Sequence, residues 1–213
     1  MFTTFFKMTK QPFAQRIPTD QILSDERMTQ SMARLNYMAQ NGTIALISGP
    51  TGVGKSTLIK LFIASLPQKQ YLPVYIHFTH LKSSCLFKLI VSKLGEHPKQ
   101  TKEKVFLQIM NKADKTSQTI ILIIDEAHHL EPAAIIDLRL LISSALDEKP
   151  PLKIILSGQE DIVEKLKRSS FTDFVHRISV YCPLKPLTLL ETQSYIDFQI
   201  RYAGASPKIF DEE

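Results

Sequence analysis

Nine consecutive residues around position 50 combine glycines at fixed spacing with a lysine and a serine. In order they are Gly49, Pro50, Thr51, Gly52, Val53, Gly54, Lys55, Ser56 and Thr57. Glycines at this spacing let the backbone fold over an anion, the lysine supplies a charge for the β- and γ-phosphates, and the serine hydroxyl is a ligand for Mg²⁺. The motif predicts a phosphate-binding loop (P-loop) that holds ATP or ADP with Mg²⁺. A glycine-rich turn that matches by chance is the alternative, and the apolar run before the loop and the helical pattern after it argue against it.

Two carboxylates follow the most apolar run of the chain, residues 119–124. The carboxyl ends of parallel strands face the ligand crevice of such a sheet, so Asp125 is predicted to hold Mg²⁺ together with Ser56, through water. Glu126 is predicted to polarise the water that attacks the γ-phosphate. The alternative is a strand that simply ends at a polar turn, and the P-loop upstream favours the functional interpretation.

Residues 125–128 spell D-E-A-H, a string also found in a large class of helicases. Those helicases need two tandem motor domains, and we expect one domain to account for this whole chain. Their Ser-Ala-Thr element is also replaced here by the sequence of residues 153–159. His128 and His129 are predicted to cap the following helix rather than bind a metal, because no third ligand lies at a suitable spacing in the sequence.

Polar residues near two further strands are candidates for sensing or stabilising the γ-phosphate. Ser157 and Gln159 close the strand at 153–157, and either could sense the γ-phosphate. Arg177 precedes the last strand and Arg168 lies upstream of it, so either could act as an arginine finger that reaches a neighbouring subunit's nucleotide. Each of the four is equally well explained, taken alone, as an ordinary loop or surface residue.

Alternating strands and helices must position these residues. Strands are predicted at 43–48, 72–78, 119–124, 153–157 and 178–182, and helices at 55–66, 84–95, 101–113, 132–146, 160–169 and 188–203. An additional helix is predicted to start at a Ser24 cap and to run to about Gln40, and Thr188 with Glu191 predicts a capping box. Apolar runs without alternation are typical of parallel strands covered on both faces. The predicted fold is an α/β, three-layer P-loop NTPase domain with a parallel five-stranded sheet.

Composition describes an ordinary globular protein, with 44% hydrophobic and 22% charged residues among 213. The longest strictly apolar stretch, 120–124, is too short to span a membrane, and the N-terminus lacks the features of a secretory signal. We therefore expect a cytoplasmic protein without membrane insertion. Cys85 and Cys182 are too few for a disulfide framework or a zinc site, and both are predicted to be small core residues.

Positive charge is concentrated in one part of the chain. The net charge is +5, and residues 82–115 hold eight lysines against three acidic residues. Such a segment could contact the phosphate backbone of DNA, although a solvated lysine face is the commoner case. Aromatic residues do not alternate with these lysines, so nothing predicts stacking on bases.

The P-loop, the D-E-A-H string, the L-S-G-Q sequence at 156–159 and the H-R-I sequence at 176–178 together resemble an AAA+ ATPase. More specifically, they resemble the ExeA (general secretion pathway protein A) group and its relatives among transposon ATPases of the TniB and MuB kind. The resemblance implies that Pro12-Phe13 and residues 17–22 line the adenine, that Gln159 is the sensor and that Arg177 is the finger.

The same resemblance implies a division into three segments. Residues 1–42 would form an N-terminal segment and helix, 43–187 the AAA+ nucleotide-binding core, and 188–213 the start of a C-terminal helical lid. The family usually continues into a helical lid with a second sensor arginine, and the lid is expected to be largely absent here. Secretion-type members also carry a membrane segment and a wall-binding domain, which are expected to be missing.

Three functions fit these patterns, and the first is the leading interpretation because of the lysine-rich segment and the expected absence of a membrane anchor. The first is an AAA+ ATPase that forms a homo-oligomer with ATP and regulates DNA transposition or recombination, with DNA and a transposase as partners. The second is an accessory ATPase of protein secretion or envelope assembly, with a membrane protein of a secretion system as partner. The third is a nucleotide-gated switch that binds ATP for assembly and turns over little.

Overall fold

The computed structural model describes residues 2–14, 18, 22–77, 83–143 and 152–206. Its strands are β1 (Ile44–Ser48), β2 (Tyr71–His77), β3 (Thr119–Asp125), β4 (Leu152–Gly158) and β5 (Ile178–Pro183). Its helices are α1 (Phe2–Phe5), α2 (Glu26–Asn41), α3 (Lys55–Ser65), α4 (Ser83–Lys93), α5 (Lys102–Lys115), α6 (Pro132–Ser143), α7 (Asp161–Leu166), α8 (Thr172–Val175) and α9 (Leu189–Tyr202). Two 3₁₀ turns lie at Ala127–His129 and Ser169–Phe171.

The five strands form one parallel sheet in the order β2-β3-β4-β1-β5. Every residue of β1 and β4 is buried, which shows that these central strands are covered on both faces. Such strands tolerate an uninterrupted apolar run, and this is why the runs in the sequence located them. The predicted α/β fold with a parallel five-stranded sheet is confirmed.

The strand order decides which polar residues become neighbours. β4 lies between β1, which leads into the P-loop, and β3, which ends in Asp125. The register pairs Ser48 with Gly158 and Ile124 with Leu156. The P-loop, Asp125 and the polar residues after Leu156 therefore meet at the carboxyl ends of neighbouring strands.

A buried lysine ties the centre of the sheet to helix α2. Lys153 in β4 is buried, and its Nζ donates to the carbonyl oxygens of Met38 (3.1 Å) and Gly42 (2.8 Å). These carbonyls belong to the C-terminal end of α2, where helical carbonyls lack partners and a cation is favoured by the helix dipole. The charge inside the sheet thus serves as the cap of a helix.

Local predictions for the helices were right at some ends and wrong at others. The capping box of Thr188 and Glu191 is present at the start of α9. The predicted Ser24 cap is wrong: the Oδ1 atom of Asp25 accepts from the backbone N–H of Met28 at 2.9 Å, while Ser24 bonds the hydroxyl of Thr29. Both residue types cap helices well, so composition alone could not choose between adjacent candidates.

Other boundaries also differ from the predictions. The helix predicted at 160–169 is shorter, because α7 ends at Leu166 and the chain continues as a 3₁₀ turn and α8. Residue 78 of the predicted second strand and residues 144–146 of the predicted sixth helix lie outside the described residues. Cys182 is buried as predicted, but Cys85 is exposed, so the core prediction is wrong for Cys85.

The chain divides into two compact units. The core unit is Gln30–Lys185, and the terminal unit combines Met1–Thr29 with Pro186–Glu213. In the terminal unit the backbone N–H of Thr9 donates to the carbonyl of Ala203 (2.8 Å) and that of Phe13 donates to the Oε1 atom of Gln199 (3.2 Å). The N-terminal segment is therefore hydrogen-bonded to α9, and the three-segment division made from the sequence stays a prediction. Over the described residues, every helix is too short or too polar to cross a membrane.

Candidate active site

The P-loop joins β1 to α3, and its glycines have different structural reasons. A Cβ atom on Gly49 would lie 2.2 Å from the carbonyl oxygen of Leu184, so only glycine fits there. Gly52 has open space around it but a φ of +86°, a conformation in which other residues are strained. Gly54 is the N-cap of α3 and has no side chain, so it leaves the first N–H groups of the helix to an anion.

Lys55 lies at the start of α3 and is buried, with 6% of its surface exposed. Its Nζ donates to the carbonyl oxygens of Gly49 and Pro50, both at 2.8 Å. The ammonium group is therefore held inside the loop by the loop's own backbone. Among the described residues this charge is partnered by carbonyl dipoles, and phosphate oxygens would be stronger partners for it.

Asp125, at the carboxyl end of β3, is 1% exposed and accepts four hydrogen bonds. Oδ2 accepts from the hydroxyl groups of Ser56 (3.1 Å) and Tyr75 (2.8 Å). Oδ1 accepts from the hydroxyl of Ser157 (2.8 Å) and from the backbone N–H of Glu126 (3.1 Å). Ser56 and Asp125, predicted to share Mg²⁺, are thus in direct contact, and this oxygen pair fits the preference of Mg²⁺ for hydroxyl and carboxylate ligands.

Tyr75 was missed by the sequence analysis. It lies in β2, two residues before His77, which pairs with Asp125 in the sheet register. Burial and the hydrogen bond to Asp125 hold the pKa of the Tyr75 phenol well above its usual range, so the phenol remains a donor. A tyrosine near the carboxyl end of the strand beside β3 was the available signal, but its use required the strand order.

Glu126 follows Asp125 in the left-handed region, with φ 56° and ψ 36°. This conformation is costly for a residue other than glycine, and such strain occurs preferentially at functional sites. Its Oε2 atom lies 3.4 Å from the Nδ1 atom of His128. The turn thus places the Glu126 carboxylate next to a histidine ring.

Ser157 and Gln159 occupy different positions at the end of β4. Ser157 is fully buried and donates to Asp125, whereas Gln159 is partly exposed and its backbone N–H donates to the Nδ1 atom of His128 at 3.3 Å. The hydroxyl of Ser157 is therefore buried and already hydrogen-bonded to Asp125. Gln159, two residues further along the chain, retains some exposed surface.

Arg177 and Arg168 are both exposed. Arg177 directly precedes β5, whose first residue pairs with Ile44 at the start of β1. The P-loop follows the other end of β1, so Arg177 lies about 16 Å away along the strands, at 3.3 Å per residue. Arg168 follows α7 and lies close enough to Lys165 to affect its pKa. Arg177 thus lies at the amino-terminal end of the strands, and its own P-loop lies at their carboxyl-terminal end.

A cluster of possible metal ligands is formed by Glu126, His128 and His129. Their ligand atoms lie within 4.8 Å of one another. A small ion with tetrahedral bonds of 2.0–2.1 Å needs ligand atoms about 3.3 Å apart, so the group would have to contract. The sequence suggested no third ligand for the two histidines, but Glu126 lies close enough to be one. However, the Nδ1 atom of His128 already accepts a hydrogen bond from the backbone N–H of Gln159. His128 lies in the 3₁₀ turn Ala127–His129, before α6 begins at Pro132.

Most lysines of the basic segment are exposed on or near α4 and α5. Lys102 pairs with Asp137 at 2.7 Å, and Lys112 lies 3.9 Å from Glu96. The remaining described members are exposed: Lys88, Lys93, Lys99, Lys104 and Lys115. Lys82 and residues 17 and 19–21 of the predicted adenine segment lie outside the described residues. Pro12 is buried and the ring of Phe13 lies 6.1 Å from that of Tyr195, within the terminal unit.

Comparison with known proteins places this geometry in a family. A family model described as AAA domain matches residues 38–166. General secretion pathway protein A of Aeromonas hydrophila is 28% identical over 219 residues, which cover 99% of this chain and 39% of that protein. The chain thus spans about two fifths of the length of this relative. The predicted resemblance to the ExeA group of AAA+ ATPases is confirmed.

Solved structures show the same fold. The Walker-type ATPase PABY2304 of Pyrococcus abyssi has a TM-score of 0.64 and 20% identity, covering 91% of this chain and 63% of its own. Cdc6p of Pyrobaculum aerophilum has a TM-score of 0.68 and 15% identity, covering 88% and 52%. ORC1 of Aeropyrum pernix, solved in complex with DNA, has a TM-score of 0.67 and 16% identity, covering 91% and 53%. At these identities the likeness concerns the fold.

Proposed function

This chain belongs to the AAA domain family, and on that premise we propose that it binds ATP with Mg²⁺ and hydrolyses it to ADP and phosphate. The observation that carries the proposal is the hydrogen bond of 3.1 Å between Ser56 and Asp125. It joins the P-loop to the acidic end of β3 across the intervening strand β4. A motif that matched by chance would have no reason to meet this carboxylate.

Binding follows from the loop geometry. The N–H groups of residues 50–57 and the positive end of α3 attract the phosphates. Lys55 exchanges its two carbonyl partners for phosphate oxygens, while Ser56 and Asp125 hold Mg²⁺. When bound, Mg²⁺ neutralises negative charge on the β- and γ-phosphates.

Hydrolysis requires a water molecule to be oriented toward the γ-phosphate. Glu126 is the group proposed for this, because it directly follows Asp125 at the carboxyl end of β3, where the strands also carry the P-loop. Gln159 is proposed as the sensor rather than Ser157, since the Ser157 hydroxyl is buried against Asp125. The oxygen of the bridge between the β- and γ-phosphates leaves with ADP.

Arg177 is proposed as an arginine finger that acts between subunits of a homo-oligomer. Arg177 is exposed and lies at the amino-terminal end of the strands, whereas the P-loop lies at their carboxyl-terminal end. Both facts support this proposal, because Arg177 is then too far from a nucleotide in the P-loop of its own subunit. An exposed arginine there is free to meet a phosphate of a neighbour, an interaction with large effects on rate. Arg168 is the second candidate.

The test compares Lys55→Ala and Glu126→Gln with Lys60→Ala, an exposed lysine on the same helix. We expect Lys55→Ala to weaken ATP binding about 100-fold or more, which corresponds to about 2.7 kcal/mol. Glu126→Gln should bind ATP normally and lose turnover, and Lys60→Ala should resemble the wild type. Binding is measured with a fluorescent nucleotide and turnover by phosphate release. Unchanged ATP affinity in Lys55→Ala would refute the assignment of the loop.

Two settings for this ATPase each have a supporting observation. The relative named for general secretion aligns with 99% of this chain, which supports an accessory role in protein secretion or envelope assembly, with a membrane protein as partner. The exposed lysines of α4 and α5 support DNA binding in transposition or recombination, with a transposase as partner. A relation to the TniB and MuB ATPases belongs to this second proposal. In both settings we propose that ATP is used in the cytoplasm.

Salt dependence separates the two settings. DNA held through phosphates is lost steeply as salt rises, with a slope of about −0.9 per phosphate contact. Replacing Lys88, Lys93, Lys104 and Lys115 by glutamine should reduce that slope, whereas Lys60→Gln with Lys69→Gln, both exposed elsewhere, should not. Absence of DNA binding at low salt, with and without ATP, would exclude the DNA setting. Normal protein export after deletion of the gene would exclude the secretion setting.

A further inference from the structure

One ring nitrogen of His128 lies between two groups of the proposed hydrolysis site. Nδ1 is 3.3 Å from the backbone nitrogen of Gln159 and 3.4 Å from the Oε2 atom of Glu126. We propose that His128 is a positioning residue that anchors the end of β4 beside Glu126 and leaves the Glu126 carboxylate available to water only while its Nδ1 atom carries no proton. This inference rests on the proposed ATPase function.

The two contacts of Nδ1 exclude each other. The backbone N–H of Gln159 can only donate, so this bond needs a lone pair on Nδ1 and a proton on Nε2. A carboxylate can only accept, so a bond to Glu126 needs a proton on Nδ1. The neutral ring protonated at Nε2 therefore binds Gln159 and leaves Glu126 without a bond from His128, whereas a proton on Nδ1, in the other neutral tautomer or in the imidazolium, is directed at Glu126. The imidazolium binds Glu126 and leaves the N–H of Gln159 without an acceptor.

The ring has little freedom to satisfy both groups by moving. A Cβ atom on Gly158 would lie 3.1 Å from the backbone nitrogen of His128 and 3.3 Å from Nδ1, so β4 and the turn are in close contact. From the other side, Nζ of Lys165 donates to the carbonyl oxygens of His128 (2.5 Å) and Leu130 (2.7 Å). Helix α7 and strand β4 together fix the backbone that carries the imidazole.

The surroundings of the ring favour its neutral form. Burial is the main cause that lowers the pKa of His128, and His129 and Lys165 lower it further. Glu126 and Asp161 act in the opposite direction. These are the charged groups that face the ring from its own turn and from α7, and β4 contributes the uncharged Gln159. A neutral ring can accept at Nδ1, and the 3.3 Å bond from the N–H of Gln159 favours the tautomer that is protonated at Nε2.

A consequence follows for turnover. Gln159, the proposed sensor, and Glu126, the proposed water-orienting group, keep a set spacing because both adjoin the same imidazole. As the pH falls through the lowered pKa of His128, the imidazolium takes the Glu126 carboxylate and turnover falls. A positional error of about 1 Å in such a constellation can cost about 100-fold in rate.

The test uses His128→Asn, His128→Ala and the control His97→Asn, which changes an exposed histidine outside the site. An asparagine Oδ1 stands near the position of Nδ1, accepts the Gln159 N–H and does not titrate. We expect His128→Asn to keep kcat within about threefold at pH 8 and to lose the fall at acid pH. His128→Ala should lower kcat about 10- to 100-fold with unchanged nucleotide Kd and KM. His97→Asn should behave as the wild type.

Two results would overturn the inference. One is a kcat of His128→Ala equal to that of the wild type while Glu126→Gln abolishes turnover, which would leave the proposed function intact. The other is an Asn variant with the same acid limb as the wild type. If the wild type does not hydrolyse ATP, the proposed function fails instead. ¹⁵N NMR of the nucleotide-free protein then decides the inference, because Nδ1 of His128 must carry no proton at neutral pH, and a protonated Nδ1 would refute it.

Discussion

Replacing Ser157 by alanine should destabilise the protein by removing one of the donors to Asp125. The Ser157 hydroxyl is completely buried and lies 2.8 Å from Oδ1 of an aspartate that is itself 1% exposed. The substitution removes a single oxygen atom, so the lost hydrogen bond dominates over any cavity. Hydrogen bonds to charged groups contribute about 1.5–3 kcal/mol, and Oδ1 retains only the N–H of Glu126 afterwards. We expect a loss of about 2 kcal/mol, a factor of about 30 in the folding equilibrium.

Urea unfolding followed by far-UV circular dichroism measures this loss, since the chain has no tryptophan for fluorescence. With a slope of about 2 kcal/mol per molar urea, the midpoint should fall by about 1 M. Ser92→Ala is the matched control, because the Ser92 hydroxyl bonds the carbonyl of Lys88 at 3.0 Å on an exposed helix surface. The free energy of unfolding of this control should stay within about 0.5 kcal/mol of the wild-type value.

The same variant separates the two candidates at the end of β4. Ser157→Ala should raise the Mg²⁺ concentration needed for half-maximal turnover, because Asp125 is then less firmly oriented. Gln159→Ala should lower kcat without changing the Mg²⁺ requirement. If Ser157→Ala unfolds at the same urea concentration as Ser92→Ala, the hydroxyl does not hold Asp125 and the argument fails.

Three further outcomes are expected. Arg177→Ala should lower kcat about 1,000-fold under oligomerising conditions with unchanged nucleotide Kd, and a wild-type specific activity that is insensitive to dilution would exclude a finger supplied by a neighbour. The raised pKa of Tyr75 means that the folded protein holds the phenol proton more tightly than the unfolded chain does. The protonated phenol therefore contributes its full stabilisation below the usual pKa of 10.0, and this contribution is lost as the pH rises above 10.0. Tyr75→Phe should therefore show a flatter loss of stability than the wild type in urea unfolding between about pH 9 and about pH 11. Thr188→Ala should cost about 1 kcal/mol by removing the capping box of α9, measured by thermal unfolding, and an unchanged Tm would show that the cap contributes nothing.

Elements with strong local signals were predictable. Each of the five strands was located within one residue at its start, and the strongest signal was the uninterrupted apolar run of β3. The start of α3 at Lys55 and of α6 at Pro132 followed from a P-loop and from a proline at a first helical position. These features depend only on residues close together in the chain.

Predictions failed where neighbouring choices were nearly equal or where distant residues decided. Ser24 and Asp25 are both good caps, and the cap position was taken by the one whose carboxylate bonds the N–H of Met28. Cysteine is a residue type that is usually buried, but Cys85 lies on an exposed helix surface. No local pattern indicates which helical face meets the sheet when both contain apolar side chains.

By itself, the sequence determined the nucleotide ligand class, the α/β fold and the family, because these reside in a contiguous P-loop and in apolar runs. Only the tertiary structure decided that Ser56, Tyr75 and Ser157 share Asp125, and that Gln159 and Glu126 share His128. Most of these contacts join residues far apart in the chain, on strands whose order is β2-β3-β4-β1-β5. Strand order and register result from the packing of the whole core, and local periodicity specifies only which face each side chain occupies.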